Sequence, residues 1–75
     1  MKRFLVIIEE SKTGFAAYSP DLPGCIATGE TREEVETLMY EAMQFHLEGL
    51  KEEGLPVPEG KSFAEFMVLP ETASA

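Results

Sequence analysis

The sequence predicts an α+β fold with the element order β-β-β-α-β. Segments rich in β-branched and aromatic residues occupy positions 3–10, 15–19 and 25–29, separated by short polar or Pro-Gly turns. From Thr31 the apolar residues follow the i, i+3, i+4, i+7 spacing of an amphipathic helix, and a last β-rich segment spans 62–69. Short turns favour an antiparallel meander for the first three strands, whereas a helical connection favours a right-handed crossover. We therefore expect a fourth strand parallel to strand one, in the sheet order 3-2-1-4, with the helix packed on one face.

Strand one is apolar on both faces, as is typical of a central strand covered from two sides. Its apolar side chains alternate, with Phe4, Val6 and Ile8 on one face and Leu5 and Ile7 on the other. One helix covers one of these faces, so the other needs cover from a partner. We take Leu5 and Ile7 as the candidate oligomer interface, with the opposite face as the alternative.

Turns define the ends of the short strands. Gly14 follows a polar loop and is expected to adopt the left-handed conformation of hairpins with a bulge. In the next turn, Pro20 and Pro23 each fix φ at about −65°, and Gly24 supplies the positive φ of a type II turn. Asp21 is interpreted as a turn residue whose carboxylate bonds nearby backbone N–H groups.

The helix has clear start and stop signals. Thr31 and Glu34 form a predicted capping box, in which the Thr31 hydroxyl accepts from the residue 34 N–H and the Glu34 carboxylate reaches back to the residue 31 N–H. Gly54 and Pro56 end the helix. Its apolar stripe contains Val35, Leu38, Met39, Ala42, Phe45, His46 and Leu50.

Length and composition indicate one small domain, residues 1–70, followed by a frayed tail at 71–75. A chain of 75 residues is marginal as a monomer. One cysteine and one histidine are too few for an internal disulfide or a structural zinc site, so we expect a homo-oligomer, dimer or higher. The N-terminal apolar run stops at Glu9 and Glu10, well short of a membrane span of about 18 residues. A cytoplasmic protein is expected, with no membrane partner.

The charge balance excludes more functions than it identifies. Six basic and fourteen acidic side chains give a formal net charge of −8. Nucleic-acid affinity depends on neutralising phosphates, so no direct nucleic-acid binding is expected from this chain alone. An acidic surface suits either simple solubility or docking to a basic protein.

The ordered set of turn motifs resembles the HicB-type antitoxin family. The matching pieces are Tyr18-Ser-Pro-Asp-Leu-Pro-Gly-Cys25, Thr28-Gly-Glu-Thr31 opening the helix, and Gly54-Leu-Pro-Val-Pro58. The resemblance implies a truncated ribonuclease-H-like sheet, a homo-oligomer, and neutralisation of a small, basic, mRNA-cleaving HicA toxin. Many family members append a DNA-binding segment, which this sequence lacks, so direct autoregulation is not expected. The alternative is a solitary HicB-like interaction or regulatory module with no toxin partner.

If the chain binds such a basic toxin, we expect the contacts to be acidic residues on the helix. The candidates are Glu33, Glu36, Glu41 and Glu48.

An enzyme is not expected. A ribonuclease-H-like site needs several carboxylates converging on metal ions, but the middle of strand one carries no acid. The remaining candidate acids are scattered, at Glu9, Glu10, Glu41 and Glu65. A nucleophilic pair of Cys25 and His46 would need a thiolate of depressed pKa, whereas free cysteines are most often small buried hydrophobes. We expect no catalytic residues, no metal and no cofactor.

Overall fold

The computed structural model describes residues 2–71, which contain three strands and one helix. The strands are β1 (Ile7–Ser11), β2 (Gly14–Tyr18) and β3 (Ile26–Gly29), and the helix is α1 (Arg32–Glu52). The sheet is antiparallel throughout and has the order β1-β2-β3. The predicted α+β class and the three-strand meander followed by a helix are confirmed. The predicted tail lies outside the described residues from position 72 onwards.

The first strand begins later than the sequence predicts. Its ladder with β2 starts at Ile7, opposite Tyr18, and residues 2–6 form no strand. Phe4, Val6 and Ile8 nevertheless pack against the core. The apolar alternation left open which face is inward, and the packing of these three residues decides it. A strand also requires a paired neighbour, and β2 ends at Tyr18 before it can pair with residues 2–6.

The core is small and lies between the sheet, the turn after β2 and the first half of α1. Its buried side chains are Ala17, Leu22, Cys25, Val35 and Met39. Partly buried side chains surround it, namely Phe4, Val6, Ile8, Phe15, Ala27, Met43 and Leu47. Helix α1 contacts both β2 and β3, so it covers one face of the sheet.

The hairpin glycine has a different role from the predicted one. The φ of Gly14 is +158°, far from the left-handed region near about +57°. A Cβ at this position would overlap the carbonyl oxygen of Gly29 on the neighbouring strand. Glycine is therefore needed because two backbones approach closely, and the expected left-handed bulge conformation is wrong.

Both ends of α1 have well-defined caps. At the N-terminus, Thr31 Oγ1 accepts from the Glu34 N–H at 3.1 Å. The Glu34 carboxylate accepts from the N–H of Glu30 at 3.3 Å, one residue before the predicted partner. At the C-terminus, Gly54 has a φ of +71°, and Leu55 N–H donates to the Leu50 carbonyl at 2.9 Å. This 6→1 bond, with Gly54 N–H donating to Lys51, is a Schellman motif.

The predicted fourth strand is not formed. Residues 55–71 are irregular, and every residue from 63 to 71 is exposed. The sheet of the described residues has the order β1-β2-β3, so the parallel pairing and the order 3-2-1-4 are not observed. Residues 60–62 approach the N-terminal segment, where a Cβ on Gly60 would overlap the carbonyl oxygen of Arg3, four positions before β1 begins. The β-like composition of 62–69 indicates strand propensity, but without a ladder partner that propensity does not produce a strand.

Within residues 2–71, no helix has the length and apolar character needed to cross a membrane.

Candidate functional site

The turn between β2 and β3, residues 19–24, is organised around a buried serine and a buried leucine. Ser19 is 4% exposed, and its Oγ accepts from the N–H groups of Asp21 and Leu22, each at 3.2 Å. Leu22 is fully buried, and its carbonyl accepts from Cys25 N–H at 3.2 Å. Gly24 closes the turn with a φ of +94°. Pro20 and Pro23 are exposed and restrict the backbone on either side of the buried Leu22.

The Asp21 carboxylate joins three separate parts of the chain. One oxygen, Oδ2, accepts from Leu5 N–H at 2.8 Å. The other, Oδ1, accepts from the N–H groups of Lys61 and Ser62 at 3.1 Å and from the Ser62 hydroxyl at 2.8 Å. These partners are 16 to 41 positions away, whereas the sequence predicts bonds to nearby N–H groups. We call this arrangement of Leu5, Asp21, Lys61 and Ser62 the Asp21 clasp.

Hydrogen bonding stabilises the charged form of Asp21. The Leu5 N–H, followed by the Ser62 hydroxyl, lowers the pKa of this carboxyl from its ordinary value, and partial desolvation opposes them. A lowered pKa in the folded state means that the unfolded chain binds the proton more tightly. The clasp therefore contributes stability above the unfolded pKa, and this contribution is lost as the pH falls through the folded value.

Asp21→Asn is expected to lower the melting temperature at neutral pH and to leave a smaller difference from the parent at about pH 2.5. The amide keeps one acceptor oxygen and places an NH2 group against backbone donors, so part of the clasp is lost. Thermal unfolding followed by circular dichroism measures both differences. Glu9→Gln, on an exposed residue of β1, is the matched control and should match the parent at neutral pH. An equal loss for Asp21→Asn at both pH values would contradict this role.

The acidic residues predicted as contacts do not all lie on one face of α1. All four are exposed. Glu41 and Glu48 are seven positions apart and share the solvent side of the helix, and Glu33 lies close to the same side. Glu36 instead lines a groove of about 640 Å³ between the N-terminal segment and α1, together with Arg3 and Arg32. Glu33, Glu41 and Glu48 therefore form one acidic face, although Glu48 also lines a groove of about 340 Å³ with Lys2 and Lys51.

Cys25 and His46 line the same groove of about 400 Å³, which lies between the 19–24 turn and the second half of α1. Cys25 is 4% exposed, and burial raises the pKa of its thiol. A nucleophilic cysteine requires the opposite shift, because the thiolate is the reactive form. The arrangement fits a core cysteine with a histidine at the groove edge.

The scattered carboxylates do not converge in the fold. Within residues 2–71, no three or more His, Cys, Asp or Glu side chains are placed to hold a metal ion. Apolar side chains of α1 lie in two different places. Met39 is buried and Met43 packs against the core, whereas Phe45 is exposed and lines the groove of Cys25 and His46.

Sequence reasoning missed the contribution of Ser62 and Gly60. Ser62 donates through both its N–H and its hydroxyl to Asp21, and Gly60 allows close approach to Arg3. Neither residue has a local signal for this role, because each acts on a part of the chain about 40 or more positions away.

Comparison with known proteins identifies the family. The sequence profile described as HicB-like antitoxin of bacterial toxin-antitoxin system matches residues 4–75. Antitoxin HicB 2 of Photorhabdus laumondii is 33% identical over 67 residues, which is 84% of this chain and 48% of the relative. An uncharacterized 14.9 kDa protein of Haemophilus phage HP1 is 32% identical over 66 residues, which is 88% of this chain and 50% of the relative. The chain thus spans about half the length of these curated relatives.

A solved structure agrees with the sequence matches. A chain from a structure titled HicA3 and HicB3 toxin-antitoxin complex superposes with a TM-score of 0.65 and 34% identity, over 80% of this chain and 72% of that chain. The turn, cap and linker motifs lie inside the matched region, from Tyr18 to Pro58. The chain belongs to the HicB-like antitoxin family of bacterial toxin-antitoxin systems.

Proposed function

We propose that this chain is an antitoxin that binds and neutralises a small, basic, mRNA-cleaving toxin of the HicA type. The observation that carries the proposal is the likeness to a chain solved in a HicA3 and HicB3 complex, at an identity high enough to indicate shared ancestry. Family membership over residues 4–75 supports it. Its place of action would be the cytoplasm, where such a toxin meets its mRNA.

Charge complementarity supplies the physical reason for binding. A toxin that cleaves RNA needs a basic face to hold phosphates. This chain carries a formal net charge of −8, so it is attracted to that face and competes with RNA for it. Attraction of this kind acts mainly on the association rate and weakens as salt screens it.

The proposed contact surface is the acidic face of α1 with the adjoining edge of the sheet at β3. Glu33, Glu41 and Glu48 are the acids on this face. Basic residues line grooves beside two of the candidates, Arg3 and Arg32 for Glu36 and Lys2 and Lys51 for Glu48. Ile26, on β3, is 70% exposed and lines the groove of Cys25 and His46 together with Phe45.

Co-expression tests the function directly. A HicA-type toxin encoded beside this gene should arrest growth when it is expressed alone, and this protein should relieve the arrest. The purified pair should form a complex that protects mRNA from cleavage. Two results would favour the solitary interaction module over the antitoxin. One is continued growth arrest although both proteins are expressed and folded, and the other is the lack of any neighbouring toxin gene.

Charge variants test the surface. We expect Glu33→Gln, Glu41→Gln and Glu48→Gln together to slow toxin association by roughly tenfold at low salt, with a smaller effect at high salt. The matched control is Glu9→Gln, Glu10→Gln and Glu59→Gln, which removes the same charge from exposed positions outside the helix. Stopped-flow or biosensor measurements give the toxin association rate of both triple variants. If the two variants slow association equally, the rate depends on net charge alone and not on the acidic face of α1.

We further propose that the protein acts by binding and is not an enzyme. Family membership suggests a non-enzymatic regulatory protein. Burial raises the pKa of the Cys25 thiol, which disfavours the thiolate. Magnesium-dependent cleavage of RNA by the purified protein, abolished by Glu65→Gln, would overturn this statement.

Homo-oligomerisation is proposed for the sheet face opposite α1. Phe4, Val6 and Ile8 pack towards the helix, so Leu5 and Ile7 point to the other face, where both are half-buried. The small core supports the need for additional burial. Light scattering at micromolar concentration should give a mass above that of one chain, and a stable monomer would contradict the proposal.

A further inference from the structure

A run of exposed apolar side chains lies after the helix, in residues 63–69, which we call the C-terminal segment. Five of its seven side chains are large and apolar, and their exposed fractions range from 77% to 102%. They are Phe63, Phe66, Met67, Val68 and Leu69. An apolar run this exposed is rare on a monomeric protein and typically marks an interaction site.

The C-terminal segment has the composition of a covered strand. Phe66 and Val68 would lie on one face of such a strand, and Phe63, Met67 and Leu69 on the other. Both faces are thus apolar, as in a strand with neighbours above and below it. Seven residues extend over about 23 Å, which is longer than the five residues of β1 at about 16 Å.

The outer edge of β1 is free to accept a strand. In the sheet β1 is bonded to β2 on one side only. Residues 60–62 lie just before this edge, where the Asp21 clasp holds Lys61 and Ser62 near Leu5, two positions before β1 begins. Next to them, a gap of about 310 Å³ separates Arg3 and Leu5 from Phe63 and Ala64.

The C-terminal segment does not close onto the edge of its own chain. A strand beside β1 would turn alternate side chains towards α1 and bury them. Every residue of the segment is exposed instead, and Phe66 has no cover at all. Each chain therefore has an unpaired apolar segment and an unpaired edge at β1. In a pair of copies, the segment of each chain can add to the β1 edge of the other.

We propose that the C-terminal segment is exchanged between two copies of this chain, each segment adding as a strand to the free edge of β1 in its partner. Exchange of an identical element is a low-cost route to a symmetric dimer. The exposed side chains of the segment offer on the order of 700 Å² per chain, near the about 800 Å² per partner of a standard stable interface. The exchange also pairs the exposed backbone of β1, which otherwise invites aggregation. The exchange does not depend on toxin binding. It is an alternative to the Leu5 and Ile7 face as the route to the dimer, and the variants below distinguish the two.

Mass measurements with matched variants give the first test. The full chain should have the mass of two copies in light scattering at micromolar concentration. Phe66→Asp with Val68→Asp should have the mass of one copy and keep the far-ultraviolet helix signal, because neither side chain supports the fold of its own chain. The control Phe45→Asp changes another exposed aromatic, which lies on α1 with 79% of its surface accessible, and should remain dimeric.

Contacts between copies give the second test. In a sample that mixes isotope-labelled and unlabelled full-length chains, filtered nuclear Overhauser spectra should show the Phe66 ring close to β1 protons of the other copy. Contacts of Phe66 with β1 of the same chain alone would show closure within one chain and overturn the exchange. A monomeric parent protein, or a dimer that survives the double aspartate variant, would also overturn it.

Discussion

Leu22→Ala is expected to destabilise the domain by about 2–5 kcal/mol. Leu22 is fully buried, and it is the side chain through which the 19–24 turn enters the core. Truncation removes its transfer free energy and leaves a cavity beside Val35 and Met39, which a small core fills poorly. A domain of this size has a free energy of unfolding of only about 4–11 kcal/mol, so the variant loses a large share of it.

Urea denaturation of the parent and of Leu22→Ala measures this loss. Leu38→Ala is the matched control, because Leu38 lies on the exposed part of α1 with 40% of its surface accessible. Its substitution should cost less than about 1 kcal/mol. Similar losses for the two variants would mean that the turn is not anchored through Leu22.

A pair of glycine substitutions should have effects of opposite sign. Gly14→Ala is expected to destabilise by about 2 kcal/mol or more, because the new Cβ meets the Gly29 carbonyl oxygen and the β2–β3 pairing must shift. Gly49→Ala is expected to stabilise by up to about 1 kcal/mol, since Gly49 lies inside α1 and a Cβ there meets nothing within 4 Å.

The same chemical change at the two positions separates steric overlap from backbone entropy. Chemical denaturation of both variants gives the two signs. A neutral or stabilised Gly14→Ala would show that the hairpin relaxes without loss, and our explanation of this glycine would then fail. A destabilised Gly49→Ala would mean that the helix surface at this point already contacts another molecule, such as a second copy.

Local signals predicted most of the regular structure. The Pro-Gly turn, the Thr31 cap and the Gly54 stop each act through bonds within a few residues, so the sequence near them is sufficient. The alternation in strand one separated Phe4, Val6 and Ile8 from the opposite face, but only the structure shows that these three pack against the core. The predicted limits of strand one were wrong at its start, because a strand exists only where another strand pairs with it.

The candidate contact residues illustrate a different limit. Sequence spacing placed Glu33, Glu36, Glu41 and Glu48 on one acidic helix. In the fold, the N-terminal segment brings basic residues to two of these acids, because Arg3 lines a groove with Glu36 and Lys2 lines another with Glu48. Which acids have basic neighbours depends on what packs beside the helix, and that information lies outside the helix itself.

The sequence by itself determined the order of the first four elements, the helix caps, the acidic character and the resemblance to the family. These properties depend on local backbone preferences, side-chain periodicity or summed charge. The tertiary structure alone decided that Asp21 holds Leu5, Lys61 and Ser62, that Gly14 is required by Gly29, and that residues 62–69 remain unpaired. Each of these outcomes depends on groups that are far apart in the chain and meet only after folding, so no local pattern encodes them.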